Sequence, residues 1–357
     1  MTRKQENSSR HFVVRDSPNK PMQPCDNPDG NRPVESTFPE VSPPQRQRGA
    51  PRSRFHPVVR VILFTLTLPL ALGTFGIITA GSLMALSSSG ADGLDPFRYA
   101  EDADFIIVVA GSSLVPIVIL VWLFSRYLDR KPMADYGLRT EGKWLLQILG
   151  GGVAGCAAVA VLFVLFFLLG WLKIESVEWM NKPSIVLGTL TLFGYALAFL
   201  CQSAGEEIIF RGYYLQNLIE CWRPLAATAA TAVGFSLLHC ANPGFSQMAA
   251  LNIFLIGIWF AMAYFLTASL WVPIGFHWGW NTSLSVIFGL PVSGMDFPAL
   301  LQVRISGEAA LWTGGSFGPE GGLAVTLLTT ALLLGTARMM FVRRRTAAPL
   351  SNEAAEL

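Results

Sequence analysis

The chain has 357 residues, 52% of them hydrophobic and 14% charged, with a formal net charge of +2 and a mean hydropathy of +0.45. Soluble domains carry about 25% charged residues, so the composition excludes an ordinary soluble enzyme and makes the lipid bilayer the solvent for most of the chain. The small net charge hides an uneven distribution, and the distribution carries more information than the sum.

Residues 1–55 are rich in Pro, Arg, Asn, Asp and Ser and lack an aliphatic run. Such a segment cannot bury enough surface to offset its ordering entropy, so the sequence predicts a disordered cytoplasmic tail. The first apolar run starts near Pro57, too late for a cleavable signal peptide. Arg46, Arg48, Arg52, Arg54 and Arg60 directly precede that run. They read as an orientation signal facing anionic lipid rather than as a nucleic-acid site.

Eight apolar segments follow, at about 57–87, 104–126, 144–172, 184–205, 224–240, 248–267, 271–290 and 321–342. Each is near the roughly 20 residues needed to cross about 30 Å of hydrocarbon. The expected fold is therefore all-α, a polytopic membrane domain over 56–345 with a short tail at 346–357. Trp144, Trp171, Trp179, Trp222, Trp271 and Trp312 fall near the proposed ends, as interfacial belts require. With the N-terminus in the cytoplasm, only Arg98, Lys173, Lys182 and Arg304 of the 26 Lys and Arg residues face outward. An even number of spans then returns Arg343, Arg344 and Arg345 to the cytoplasm. The expected location is the cytoplasmic membrane, multi-pass, with both termini inside.

Five cysteines form no CxxC pair and read as reduced, buried hydrophobes. The glycine-rich stretch 313–322 lacks the Lys-Ser/Thr of a phosphate loop and reads as a flexible turn feeding the last helix. No internal repeat is visible, and no GxxxG pair dominates a span.

Three polar clusters interrupt the apolar sequence between Cys201 and Asn281: Glu206-Glu207 with Arg211, Phe235 with His239, and His277 with Asn281. Glu207 and Arg211, Phe235 and His239, and His277 and Asn281 are each four apart and share a helix face. An ionisable group at membrane depth costs roughly 2.5–3.5 kcal/mol, so such groups point to function. Adjacent carboxylates at low dielectric repel unless a cation compensates. Arg211 supplies one to Glu207, which leaves Glu206 as the reactive carboxylate and makes Glu207, Arg211 and Phe235 its support. Two histidines, an asparagine and a carboxylate are the groups that activate water and hold an oxyanion, or bind a metal.

Glu-Glu-x-x-x-Arg, Phe-x-x-x-His and His-x-x-x-Asn, in this order on successive membrane segments, resemble the three motifs of the CAAX protease and bacteriocin-processing family of intramembrane endopeptidases, the Abi or CPBP family. The resemblance covers about residues 184–290, and the eight-span frame agrees with it. It implies Glu206 as the base that activates water, assisted by His239, and His277 and Asn281 as the groups facing the developing oxyanion. It also implies a membrane-associated peptide or protein as substrate. The family is described both as glutamate-dependent and as metal-dependent. Glu206, His239 and His277 could form a His₂Glu zinc set, although no HExxH helix is present.

One tension accompanies these boundaries. They place Glu206 near the cytoplasmic end of its span, His239 near the outer end of the next, and His277 about a third of the way across. Convergence of the three requires a tilted, re-entrant or shifted helix. Rival readings are a noncatalytic scaffold or immunity protein that keeps the pocket, and a proton-coupled transporter. The intact motifs argue against the first, and the lack of inverted repeats with matched broken helices argues against the second.

Overall fold

The computed structural model describes residues 53, 55–87, 111–177 and 185–347. The expectations for the tail up to residue 52, for Trp179 and for residues 348–357 lie outside that range. Among the described residues, helices stand at all eight predicted segments. These are α1 (Pro57–Ser87), α2 (Leu114–Phe124), α3 (Trp144–Leu168), α4 (Ile185–Glu207), α5 (Pro224–Leu238), α6 (Gln247–Thr267), α7 (Trp271–Thr282) and α8 (Leu323–Ala347). Four of these regions are long and apolar enough to cross a bilayer unaided: Pro57–Thr79, Trp144–Leu168, Gln247–Thr267 and Leu323–Thr346.

The helix ends follow local chemistry. Pro224 occupies the first turn of α5 after an extended Arg223, where its missing N–H costs nothing. Ser246 caps α6 by accepting a hydrogen bond from the Ala249 amide at 3.1 Å. Ala268, left-handed at φ 50°, closes the same helix. The outer surfaces of α1 and α3 stay apolar, with Leu66, Leu70, Ile77, Val153 and Leu168 exposed. Lipid rather than water suits such a belt.

The fold is not purely helical. Strand β1 (Leu172–Val177) pairs antiparallel with β2 (Leu301–Ile305), with a register break between Ile174 and Ser176. Both lie in connections beyond the apolar runs, where a backbone without helical partners must find its hydrogen bonds elsewhere. Trp171 stacks on Trp312 with centroids 5.8 Å apart near this pair of strands, and Trp144 meets Trp271 at 5.1 Å near the start of α3.

α3 and α7 approach closely enough that backbones touch. A Cβ on Gly151 would lie 2.5 Å from the Val272 carbonyl oxygen, and one on Gly155 2.3 Å from that of Phe276. On the facing helix a Cβ on Gly275 would meet the Ile148 oxygen at 2.1 Å, and one on Gly279 the Gly152 oxygen at 2.1 Å. Gly151/Gly155 and Gly275/Gly279 are thus two facing GxxxG pairs, contrary to the expectation that none would dominate. In the sequence Gly275 and Gly279 interleave with the His277 cluster, which masks their spacing. His277 and Asn281 lie two residues on from these glycines and so point away from α3.

Arg60 also departs from expectation. It is fully buried rather than lipid-facing, with Nη1 2.8 Å from Asp129 Oδ1 and Nη2 on Glu220 Oε2. Glu220 also pairs with Lys131, and the Tyr136 hydroxyl donates to Asp129. This cluster ties the start of α1 to the π-helical turn Ser125–Asp129 after α2 and to the turn before α5. Arg46, Arg48, Arg52 and Arg54 lie outside the described residues.

The stretch 313–322 is ordered, which corrects the expected flexible turn. It folds into short 3₁₀ turns with Gly314 at φ 82° and Gly318 at φ 87°. Glu320 anchors it: Oε2 accepts from the Ser293 amide at 2.6 Å and from its hydroxyl at 2.7 Å, and Oε1 accepts from Trp280 Nε1 at 3.1 Å. Glycines permit those dihedrals, and the carboxylate network holds them. Among the described residues the cysteines are free, but they are half-buried or, for Cys240, exposed, not fully buried.

Candidate active site

Glu206 and Glu207 do not end their helix. α4 runs into a π-helical segment, Ile208–Tyr214, and on through Leu215–Leu218, so the carboxylates lie well inside one continuous helical path. The predicted end at 205 treated the charges as an interface. Their neutralisation inside the protein removes that need, and widened turns of this kind recur at functional sites. Glu207 Oε1 stands 2.8 Å from Arg211 Nη1, with both side chains almost wholly buried. Arg211 Nη2 donates to the Gly257 carbonyl at 3.1 Å. Its guanidinium faces Phe235 at 4.3 Å and Phe260 at 5.0 Å from the ring centroids. Charge, backbone acceptor and aromatic faces together compensate a cation far from water.

His277 on α7 points at both carboxylates. Its Nδ1 lies 3.1 Å from Glu207 Oε1, and its Nε2 lies 3.8 Å from Glu206 Oε2. A carboxylate only accepts, so Nδ1 carries the proton. The ring is stacked on Phe260 at 5.3 Å. Glu206 differs from its neighbour in that no cation holds it and it lines the cavity; the Oε2 atoms of both carboxylates lack a hydrogen-bond partner among the described residues, but only that of Glu206 belongs to a cavity-lining residue. Its Oε1 is bonded by Gln202 Nε2, and Gln202 Oε1 accepts from Asn281 Nδ2 at 3.1 Å.

His239 follows the last residue of α5, with Nδ1 2.9 Å from the Phe235 carbonyl oxygen. That carbonyl needs a donor, which leaves Nε2 of the neutral ring as a proton acceptor. At 15 residues, α5 rises about 22 Å, short of a full crossing. The register tension is eased by this short helix and by the extension of α4.

These groups share one cavity of about 300 Å³, lined by Gln202, Glu206, Phe235, His239, His277 and Asn281. Phe199, Phe260, Phe276 and Trp280 make its aromatic wall, and Asn242, Asn252, Ser293 and Glu320 its other polar edge. Glu207 and Arg211 stand behind it. Gln202 and Glu320 were missed by sequence reasoning. Gln202 had a usable signal, a polar residue one turn before Glu206 on the same face, whereas Glu320 sits in a loop with no periodicity. Three His, Cys, Asp or Glu side chains do not come together as a metal-ligand group among the described residues. Glu206 and His277 converge, while His239 shares the cavity without joining them. As they stand, the three residues do not form a zinc set.

No curated protein and no solved structure is significantly similar to the chain. One family model, described as type II CAAX prenyl endopeptidase Rce1-like, matches residues 188–283, a range that contains all three motifs and every residue of the Glu206–His277 cluster. Over residues 188–283, about a quarter of its length, the chain is thus similar to the Rce1-like type II CAAX prenyl endopeptidases.

Proposed function

We propose that the chain is an intramembrane endopeptidase that hydrolyses a peptide bond of a membrane-associated protein through water activated by Glu206. The observation that carries this reading is the unpartnered Oε2 of Glu206, 3.8 Å from His277 Nε2. That gap is too long for a direct hydrogen bond and is one that a single water bonded to both would span.

Glu206 takes a proton from water, and the hydroxide attacks the scissile carbonyl carbon. The oxyanion is met by Asn281 Nδ2–H and by His277, which donates from Nε2 when doubly protonated with Nδ1 held by Glu207. His239, with a free Nε2, shares the proton traffic. Collapse of the intermediate breaks the C–N bond, and the proton leaves with the new amine, so water supplies both product groups and no acyl-enzyme forms. The Glu207–Arg211 pair keeps His277 in one tautomer and one orientation.

The aromatic wall suits an apolar chain beside the scissile bond, and the family's prenylated substrates are one class it could accept. The whole domain would sit as eight spans with both termini in the cytoplasm, for which the Lys and Arg distribution is the support. Reporter fusions at Gly315 should then read as outside, and those at Asp135 and Thr346 as inside. The decisive test of activity is cleavage of a membrane-proteome or peptide library by the purified chain beside a Glu206→Ala control. Products that form equally with both would overturn the reading.

A further inference from the structure

We infer that Gln202, which belongs to none of the three motifs, is the positioning residue that sets the working geometry of both Glu206 and Asn281. The inference rests on the peptidase reading above. Gln202 lies one turn before Glu206 on α4, so the two side chains share a face. Its amide joins the base on one side and the oxyanion donor of α7 on the other.

The direction of this bridge is fixed by chemistry. An ionised carboxylate only accepts, so Gln202 must turn its NH₂ toward Glu206. Its carbonyl oxygen is thereby turned toward Asn281, which must answer with its own NH₂. Asn281, only 4% exposed, is locked with Nδ2 toward the site, and one of its two N–H bonds remains for the cavity.

Two consequences follow for the reaction. Occupation of Oε1 by Gln202 leaves Oε2 as the oxygen that faces His277 and receives the proton from water. An Asn281 amide turned the other way would aim a carbonyl oxygen at the developing oxyanion and repel it. Gln202 therefore prevents two errors at once, a rotated carboxylate and a flipped amide, without touching substrate. Nothing else among the described hydrogen bonds links Glu206 to Asn281.

The test uses the full-length purified chain and a fluorogenic peptide built on a sequence that the wild type cleaves and Glu206→Gln does not. Gln202→Met keeps length and volume but removes both hydrogen bonds. Gln202→Glu keeps the acceptor for Asn281 but cannot, when ionised, donate to Glu206. Each should lower kcat roughly 10- to 100-fold, a cost of the size seen when an orienting partner is lost, with KM unchanged; the melting temperature should stay near wild type in Gln202→Met and fall in Gln202→Glu, whose new carboxylate repels Glu206. Asn281→Ala should cost far less in the Gln202→Met background than in the wild type, because the amide has already lost its orientation.

Unchanged kcat in both variants, a loss confined to KM, or losses that multiply in the double variant would overturn the inference. If Gln202→Met does not fold, the kcat of Gln202→Glu decides it. A wild type without Glu206-dependent cleavage removes the peptidase reading and this role with it. That outcome differs visibly from an active wild type with indifferent Gln202 variants.

Discussion

His277 Nδ1 stands 3.1 Å from Glu207 Oε1, the same oxygen that Arg211 Nη1 holds at 2.8 Å. One buried oxygen thus serves a structural cation and a histidine of the site. The pair of adjacent carboxylates is divided by this arrangement: Glu207 is committed through Oε1 to both partners, and Glu206, the one of the two that lines the cavity, keeps an unpartnered oxygen for water.

The division predicts two different phenotypes. Glu206→Gln should abolish turnover, by at least the roughly 10²–10⁴-fold attributed to general-base catalysis, and leave folding intact. Glu207→Gln should leave Arg211 buried with less charge compensation and lower stability by about 3–5 kcal/mol, toward the low end because Gly257 and two aromatic faces still hold the guanidinium. Specific activity per folded molecule and thermal stability, taken on the same samples, separate the two. An active Glu206→Gln, or a stable but inert Glu207→Gln, would reverse the assignment.

The glycine contact between α3 and α7 predicts a site defect produced from outside the cavity. Gly279→Ala would press a methyl group to 2.1 Å from the Gly152 oxygen, so the helices must separate. Overpacking of this kind costs about 1–3 kcal/mol or more. Because His277 and Asn281 ride on the same helix, activity should fall further than the loss of folded protein explains. Gly335, with open space around it, is the control: Gly335→Ala should leave both stability and activity near wild type.

Metal dependence follows from where His239 stands. Glu206 and His277 approach each other, but the third candidate ligand, His239, shares their cavity without closing a ligand group. The expected result is full activity after exhaustive chelation, with no stoichiometric zinc in the purified protein. About one zinc per chain, with activity lost on chelation and restored by zinc, would bring His239 into a His₂Glu set with Glu206 and His277.

The helices were legible in the sequence because apolar runs of membrane length are hard to place elsewhere, and the polar clusters stood out against them. What the sequence obscured was where charge ends a helix and where it does not. Glu206, Glu207 and Arg211 look like an interface in one dimension, yet neutralisation across one turn lets α4 continue past them. Arg60 gave the opposite error. It looks like one of a row of membrane-facing arginines, and only its partners Asp129 and Glu220, distant in sequence, reveal a buried structural cation. The close glycine contact and the Glu320 anchor depend on two remote segments meeting, which no local pattern records.

The Arg60 cluster has its own pH signature. Burial, the largest influence on the Glu220 carboxyl, opposes its charge, but Lys131 and Arg60 outweigh it and hold the group below the usual carboxylate range. A carboxylate lowered in the folded state adds stability that is complete above its unfolded value of about 4.3 and is lost as pH falls through the folded value. The detergent-solubilised chain should therefore melt at falling temperatures as the pH drops below about 4. Glu220→Gln should flatten that acid limb and, at neutral pH, cost about 1–3 kcal/mol, between an exposed and a fully buried pair, since Glu220 is 24% exposed and Arg60 not at all. Arg60 would keep Asp129, so the fold should survive. A Glu220→Gln chain whose melting temperature tracks pH as the wild type does would show that the cluster's stabilisation lies elsewhere.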